Sequence, residues 1–230
     1  MIDLGQIETV LFDVDGTLID SNVAHTRAWA RALHEHGVAI REDEVRRLIG
    51  MGADKLIPAA AKVDERSAPG QELVHRKKTI FDALLPSLGP TLGARTLLEY
   101  MRSQSIDIAI ATSADDRELT ALLKRAGVDD LIPMRSSRDD APASKPDPDI
   151  VHAALRRARA RPELTLLIGD TPYDIEAARR AGVDAIALRC GGYWSDESLR
   201  GAAEIFDDPA ALLIAWRERT SVSQSGANLG

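Results

Sequence analysis

The feature that most constrains this chain is an apolar run near its start that ends abruptly in two carboxylates. A strand predicted over residues 9–13 ends in Asp13, and Asp15 and Gly16 follow after one valine. Apolar β-formers before a polar, glycine-containing break indicate a buried strand that enters a loop. Two acids side by side at the mouth of a buried strand repel each other and lose hydration. The arrangement therefore indicates a site that needs a cation or carries out a reaction.

The bulk composition indicates a soluble globular chain. Its 230 residues, 44% of them hydrophobic, can bury one large core or a core plus a small accessory domain. The net charge of −7 gives no general attraction to nucleic acid or membrane. The single cysteine fits a reducing compartment, and the first residues lack the pattern of a signal peptide. We expect a cytoplasmic protein that binds neither nucleic acid nor membrane, as a monomer or a dimer.

Two parts of the chain differ in periodicity. Residues 20–87 have helical spacing and, from residue 40 on, no strand signal, whereas strands and helices alternate afterwards. Such alternation implies right-handed βαβ crossovers and a parallel sheet covered on both faces. We predict an α/β fold: a doubly wound, Rossmann-like core from residues 1–19 and 88–219, with an all-helical cap over 20–87. A tail over residues 220–230 is predicted to be disordered.

Polar side chains directly follow several of these strands. The strands after the first are predicted at residues 106–111, 131–134, 164–169, 184–188 and 203–206. Asp13, Thr112 and Asp170 each come at or just after a strand end, so they should converge on one rim of the sheet. Carboxylate oxygens are the ligands that Mg²⁺ prefers, and a lysine such as Lys145 beside a hydroxyl suits phosphate. The sequence has no Walker-type loop and no Cys or His cluster for zinc.

Four segments resemble, in order, the four motifs of the haloacid dehalogenase-like hydrolase superfamily. They are residues 13–17 (Asp-Val-Asp-Gly-Thr), the strand ending in Thr112, Lys145 before Pro-Asp-Pro, and residues 169–174 (Gly-Asp-Thr-Pro-Tyr-Asp). The resemblance covers nearly all of residues 7–216. The helical insert resembles the cap of phosphoglycolate phosphatases and β-phosphoglucomutases. The resemblance implies a phosphatase that hydrolyses a small phosphorylated metabolite, a phosphoglycolate- or sugar-phosphate-like monoester.

The resemblance also implies a mechanism through an aspartyl-phosphate. Asp13 would attack phosphorus, and Asp15 would protonate the leaving alcohol and later deprotonate water. Mg²⁺ would bind Asp13, Asp170 and the backbone carbonyl of Asp15.

Five further residues have implied roles. Thr112 and Lys145 would hold the phosphoryl oxygens, and Ser113 could take the part of Thr112. Asp174 would order the metal shell or Lys145 from outside, and could also cap the helix that follows. His25 is either a cap packing residue or a substrate contact.

Two alternatives to a phosphatase stay open. Haloacid dehalogenases lack the second aspartate of the first motif, so Asp15 argues against that activity. β-Phosphoglucomutases typically carry a Lys-Asn pair for a second phosphate, where residues 113–116 here read Ser-Ala-Asp-Asp. Residues 49–53 also lack the arginine that those mutases place there. A phosphomutase remains one alternative, and a non-catalytic protein that binds a phosphorylated ligand remains the other.

Overall fold

The computed structural model describes residue 2 and residues 4–227, with side chains described as far as residue 220. Six strands form one sheet: Thr9–Phe12 (β1), Asp107–Ala111 (β2), Met134–Ser136 (β3), Thr165–Gly169 (β4), Asp184–Leu188 (β5) and Glu204–Phe206 (β6). Their order is β3-β2-β1-β4-β5-β6, and every neighbouring pair is parallel.

The described residues also form α-helices before, between and after these strands. Their bounds are Asn22–Glu35 (α1), Glu42–Arg46 (α2), Ala53–Ala61 (α3), Ala68–Leu84 (α4), Ala94–Ser103 (α5), Asp116–Ala126 (α6), Asp149–Ala158 (α7), Pro172–Arg180 (α8), Asp196–Leu199 (α9) and Pro209–Ala227 (α10). Helices α1 to α4 all lie between β1 and β2 in the chain. The predicted fold class, a doubly wound parallel sheet with an inserted helical cap, is confirmed.

Strand β1 lies where the winding of the sheet reverses. The chain adds β2 and β3 on one side of β1, then crosses over to add β4, β5 and β6 on the other. Strands β1 and β4 are buried along their whole length, as expected for interior parallel strands covered on both faces. The crevice outside the carboxyl ends of β1 and β4 is therefore the topological switch point, where such sheets bind ligands.

Successive residues of β1 enter the cores on opposite faces of the sheet. Val10 and Phe12 pack into the larger apolar cluster, which includes residues of α5, α6 and α10. Leu11 packs into a second cluster with residues of α7, α8 and α9. The two-residue period of a strand thus divides the side chains of β1 between the cores on the two faces of the sheet.

The cap has an apolar cluster of its own. Trp29 and Leu33 of α1 pack with Val45, Leu56 and Leu73 from the three following helices. Ala28 of α1 and Phe81 of α4 pack instead into the larger cluster with the sheet residues, so these two helices also join the cap to the core. The division into residues 1–19 with 88–219 and residues 20–87 stays a prediction.

Two element bounds differ from the sequence prediction. Strand β3 begins at Met134, whereas the sequence predicted a strand over residues 131–134. Leu131 and Ile132 are buried in the turn and loop before the strand, and Pro133 has no N–H with which to pair in a sheet. Helix α10, predicted to end at Arg217, continues to Ala227, since no proline or glycine interrupts it before residue 226. The predicted disordered tail overlaps this helix, and residues 228–230 lie outside the described residues.

In residues 2 and 4–227, no helix is both long and apolar enough to cross a membrane.

Candidate active site

Three predicted site residues follow the central strands at one edge of the sheet. Asp13 follows β1, Thr112 follows β2 and Asp170 follows β4, and all three side chains are buried. Phe12 is in register with both Ile110 and Ile168, so the ends of these strands lie side by side. The parallel register thus brings together residues that are up to 157 positions apart in the sequence.

The loop after β1 packs tightly against Asp170. Gly16 has φ +75°, which favours glycine. A Cβ atom at Gly16 would lie 2.3 Å from Oδ2 of Asp170 and 2.3 Å from Nδ2 of Asn22. The amide of Asn22 donates to the same Asp170 oxygen at 2.7 Å. Any larger side chain at residue 16 would therefore displace Asp170 or its amide partner.

Lys145 is buried at the centre of the site with 1% of its surface exposed. Its ammonium donates to Oδ1 of Asp13 at 2.5 Å and to Oδ1 of Asp174 at 2.6 Å. Burial alone would lower the pKa of Lys145, but attraction to Asp13 and Asp174 raises it above the ordinary value. The lysine is therefore a fixed positive charge beside the first aspartate of the loop.

Three buried carboxylates form a cluster around this lysine. One oxygen each of Asp13, Asp170 and Asp174 lies within 4.8 Å of the others. Burial and the nearby carboxylates raise the pKa of Asp13 to about 7, although Lys145 opposes the shift. Burial, Asp174 and Asp13 likewise raise the pKa of Asp170 well above its ordinary value. A divalent cation bound by carboxylate oxygens would offset this repulsion, so the residues present fit such an ion.

The members of the cluster are not equally available to a metal. Asp174 has one oxygen on Lys145, and its other oxygen accepts from the backbone N–H and hydroxyl of Thr171 at 3.1 and 2.6 Å. This second contact is part of a capping box at the start of α8. The N-cap of α8 is Thr171, so Asp174 is not itself the helix cap that was one of its predicted roles, and completes the capping box from the first turn instead. Both oxygens of Asp174 are engaged, which leaves Asp13 and Asp170 better placed as ligands.

The carboxylate of Asp15 belongs to a separate group of side chains. Its Oδ1 lies 2.8 Å from Nε2 of His25 and 2.5 Å from the hydroxyl of Ser21, which donates to it. Burial would raise the pKa of Asp15, but attraction and hydrogen bonding from His25 and a hydrogen bond from Ser21 lower it. The His25 ring stacks on Phe81 of α4, with ring centroids 4.0 Å apart. His25 therefore fixes the position of Asp15 and packs against Phe81 of the neighbouring helix α4.

Two functional side chains were missed in the sequence. Ser21 and Asn22 stand at the start of α1, but Ser21 makes no side-chain capping bond. Their side chains instead contact Asp15 and Asp170 respectively. Small polar residues before a helix are typical of caps, and only the tertiary packing directs these two toward the acids.

A cavity of about 100 Å³ lies between these acids and the cap. Thr112 and Ser113 both line it, as do Asp13, Asp15 and His25. The Thr112 hydroxyl accepts from the N–H of Ala114 at 3.2 Å, and that of Ser113 donates to a cap carbonyl at 3.4 Å. Both hydroxyls are thus placed at the cavity, and the choice between them stays open.

The cap meets the core on more than one side of this cavity. Lys55 of α3 contacts Asp147 at 2.5 Å, and Arg46 of α2 donates to the carbonyl of Gly192 at 2.7 Å. Arg46 does not line the cavity itself. These contacts hold the cap against the carboxyl edge of the sheet, and the chain has the architecture of an enzyme with a buried carboxylate site.

Comparison with known proteins identifies the family. Residues 10–188 match the family model described as haloacid dehalogenase-like hydrolase. A phosphorylated carbohydrates phosphatase from Thermotoga maritima is 30% identical, over 94% of this chain and 98% of the relative. A phosphoglycolate phosphatase from Nitrosococcus oceani is 32% identical, over 82% and 86%. A crystal structure of a hydrolase from Pseudomonas syringae has a TM-score of 0.85 and 30% identity, over 91% of this chain and 98% of that one.

The chain belongs to the haloacid dehalogenase-like hydrolase family. The resemblance predicted from the four segments is therefore confirmed. Relatives named as phosphatases also confirm the predicted enzyme class, a phosphoric monoester hydrolase of this family.

Proposed function

We propose that this hydrolase is a Mg²⁺-dependent phosphatase that releases phosphate from a small phosphorylated metabolite through an aspartyl-phosphate on Asp13. The observation that carries the proposal is the position of Asp13. Its carboxylate lies 2.5 Å from the buried ammonium of Lys145, within 4.8 Å of Asp170, and at the wall of the cavity below the cap. A carboxylate held between a fixed cation and a metal ligand is placed to attack an anionic phosphoryl group.

The chain's own residues divide the two chemical steps. Asp13 attacks phosphorus, so that the bond from phosphorus to Asp13 forms as the bond to the leaving alkoxide breaks. Asp15, fixed by His25 and Ser21, gives that alkoxide a proton. In the second step Asp15 takes a proton from water and the water oxygen attacks phosphorus, so that the bond from phosphorus to Asp13 breaks. Inorganic phosphate leaves, and the Asp13 carboxylate and the protonated Asp15 are regenerated.

The remaining residues hold the phosphoryl group and its charge. Lys145 and a hydroxyl of Thr112 or Ser113 would bind its oxygens. Asp13, Asp170 and the backbone carbonyl of Asp15 would hold Mg²⁺, which when bound neutralises part of the charge that develops on the phosphoryl oxygens. Asp174 keeps Lys145 oriented through its 2.6 Å contact.

Hydrolysis is favoured over the mutase alternative by the segment after Thr112. Asp115 and Glu118 from this segment line the cavity, where a grip on a second phosphate would need cations. Asp115 is also committed to capping α6, because its carboxylate accepts from the N–H of Glu118 at 2.8 Å. Both carboxylates are paired with lysines of the cap, so this segment offers no cation of its own to a second phosphate.

The test is a screen of phosphorylated metabolites with the full chain, with Mg²⁺ and with a chelator. We expect phosphate release from at least one monoester, with loss of nearly all release when Mg²⁺ is removed. A bisphosphate-dependent interconversion of isomers would support the mutase instead. Tight binding of an ester with no release under any condition would support the non-catalytic alternative.

Metal binding should release a proton near neutral pH. Asp13 has a pKa of about 7 in the protein without metal, and a carboxylate must be ionised to bind Mg²⁺. The proton is bound below that pKa, so we expect Mg²⁺ affinity to fall as the pH drops from about 8 to 6. Calorimetry in buffers of different ionisation enthalpy measures the protons released. Binding at pH 7 with no proton release would contradict the assignment of Asp13 as a ligand.

A further inference from the structure

The cavity is lined by cations, but each of them already faces a carboxylate. Among the described residues that line it, the Lys and Arg side chains are Lys77, Lys78 and Arg138. Lys77 contacts Glu118 at 2.8 Å and Lys78 contacts Asp115 at 3.0 Å. Arg138 pairs with Glu65 of the cap. The wall of the cavity formed by these three pairs is therefore electrically balanced. The opposite end, where Asp13 would meet the phosphoryl group, has a cluster of carboxylates instead.

The pair of Lys77 and Glu118 is the most enclosed of those that involve the cap lysines. The side chains are 10% and 13% exposed, whereas those of Lys78 and Asp115 are 26% and 38% exposed. The Lys77 ammonium also lies 4.6 Å from the ring centroid of Phe81. An ammonium with a carboxylate on one side and a ring face on another is already desolvated and neutralised.

Lys77 lies on the side of the cavity where we expect the leaving group to bind. Its ring neighbour Phe81 stacks on His25, which in turn contacts Asp15. Asp15 is the proposed proton donor to the leaving alcohol, so the rest of that alcohol must extend beyond Asp15. The alcohol would therefore meet the Lys77–Glu118 pair and the apolar side chains around it, such as Trp29 and Met51.

We infer that Glu118 is a specificity-determining residue: by neutralising Lys77, it selects phosphate monoesters whose leaving group is an uncharged alcohol over esters that carry a carboxylate. This inference rests on the proposed function and narrows its substrate class. A carboxylate on the substrate would have to compete with Glu118 for Lys77 and would sit beside the Glu118 charge. A hydroxyl group on the substrate can donate a hydrogen bond to Glu118 and is not repelled by its charge. The pair therefore favours the phosphate ester of a polyol or a sugar.

The experiment compares two esters of nearly equal size. Phosphoglycolate carries a carboxylate where 2-hydroxyethyl phosphate carries a neutral alcohol. We expect the full chain with Mg²⁺ to have the higher kcat/KM for 2-hydroxyethyl phosphate. In Glu118→Gln the ratio should shift toward phosphoglycolate by about tenfold to hundredfold, the range of one newly available hydrogen bond to a charged group. The double variant Lys77→Met with Glu118→Gln should lose this gain, because the gain comes from the lysine.

A binding measurement separates failure of this inference from failure of the proposed function. Dissociation constants for 3-phosphonopropionate and for 3-hydroxypropylphosphonate, which ends in a neutral alcohol, need no turnover. Their ratio should shift in the same direction in Glu118→Gln. The matched control is Glu99→Gln, an exposed glutamate that pairs with Arg95 far from the cavity lining. A ratio that stays the same in Glu118→Gln, or a wild-type preference for the carboxylate compounds, would overturn the inference. An absence of all turnover with the binding shift intact would overturn the phosphatase alone.

Discussion

Replacement of Asp13 by asparagine is expected to reduce phosphate release by at least about 10⁴-fold, the scale seen when an enzyme loses its nucleophile. The amide keeps the shape of the side chain but has no anionic oxygen to attack phosphorus. It also removes one metal ligand and one partner of Lys145. Release is measured under single-turnover conditions with excess Mg²⁺, so that weaker metal binding does not account for the loss.

A matched variant tests whether the loss is specific to the site. Asp20→Asn makes the same chemical change on an exposed residue seven positions later in the chain. It should release phosphate at close to the wild-type rate. Equal release by Asp13→Asn and the wild type would remove Asp13 as the nucleophile and with it the aspartyl-phosphate.

Replacement of Lys145 by methionine should affect stability and activity together. Methionine fills a similar volume but leaves the carboxylates of Asp13 and Asp174 buried without their shared cation. Breaking a buried ion pair in this way typically costs about 3–5 kcal/mol of the free energy of unfolding. Loss of a cation that stabilises the transferring phosphoryl group should lower kcat by roughly 10²- to 10³-fold. Urea unfolding in the presence of a chelator measures the first effect, and steady-state kinetics the second.

A double-mutant cycle tests whether Lys145 and Asp174 are energetically coupled or only lie next to each other. Adding Asp174→Asn to Lys145→Met removes one of the two stranded charges, so the double variant should be less destabilised than the sum of the single changes. Lys124→Met, on an exposed position of α6, should change the free energy of unfolding by no more than about 0.5 kcal/mol. Strict additivity of Lys145→Met and Asp174→Asn would contradict the proposed coupling through the ammonium.

The sequence allowed side chains to be placed in space where each of them follows the end of a predicted parallel strand. Asp13, Thr112 and Asp170 could be placed on one rim, because each ends a strand and the carboxyl ends of parallel strands share an edge. The helical cap could be recognised because residues 40–87 give no strand signal. The start of β3 was predicted three residues too early, since two buried apolar residues in a turn have the same pattern as the start of a strand.

Side-chain partners beyond local range could not be predicted. Nothing in the sequence near Ser21 and Asn22 distinguishes an acid-binding pair from ordinary helix caps, because their partners are set by how the loop after β1 closes. Likewise Lys77 and Glu118 are 41 residues apart on two helices of different layers, so only the docking of the cap on the core pairs them. That pairing decides the charge that a leaving group would meet.

The sequence by itself therefore determined the family, the sheet, and the acids at the end of the first strand. These follow from periodicity and motif order, which are local properties of the chain. Only the tertiary structure decided what each acid contacts: Asp13 faces Lys145 and Asp170, whereas Asp15 faces His25 and Ser21. The physical reason is that a pKa and a charge balance depend on burial and on neighbours distant in the chain, and both arise only when the cap and the core pack together.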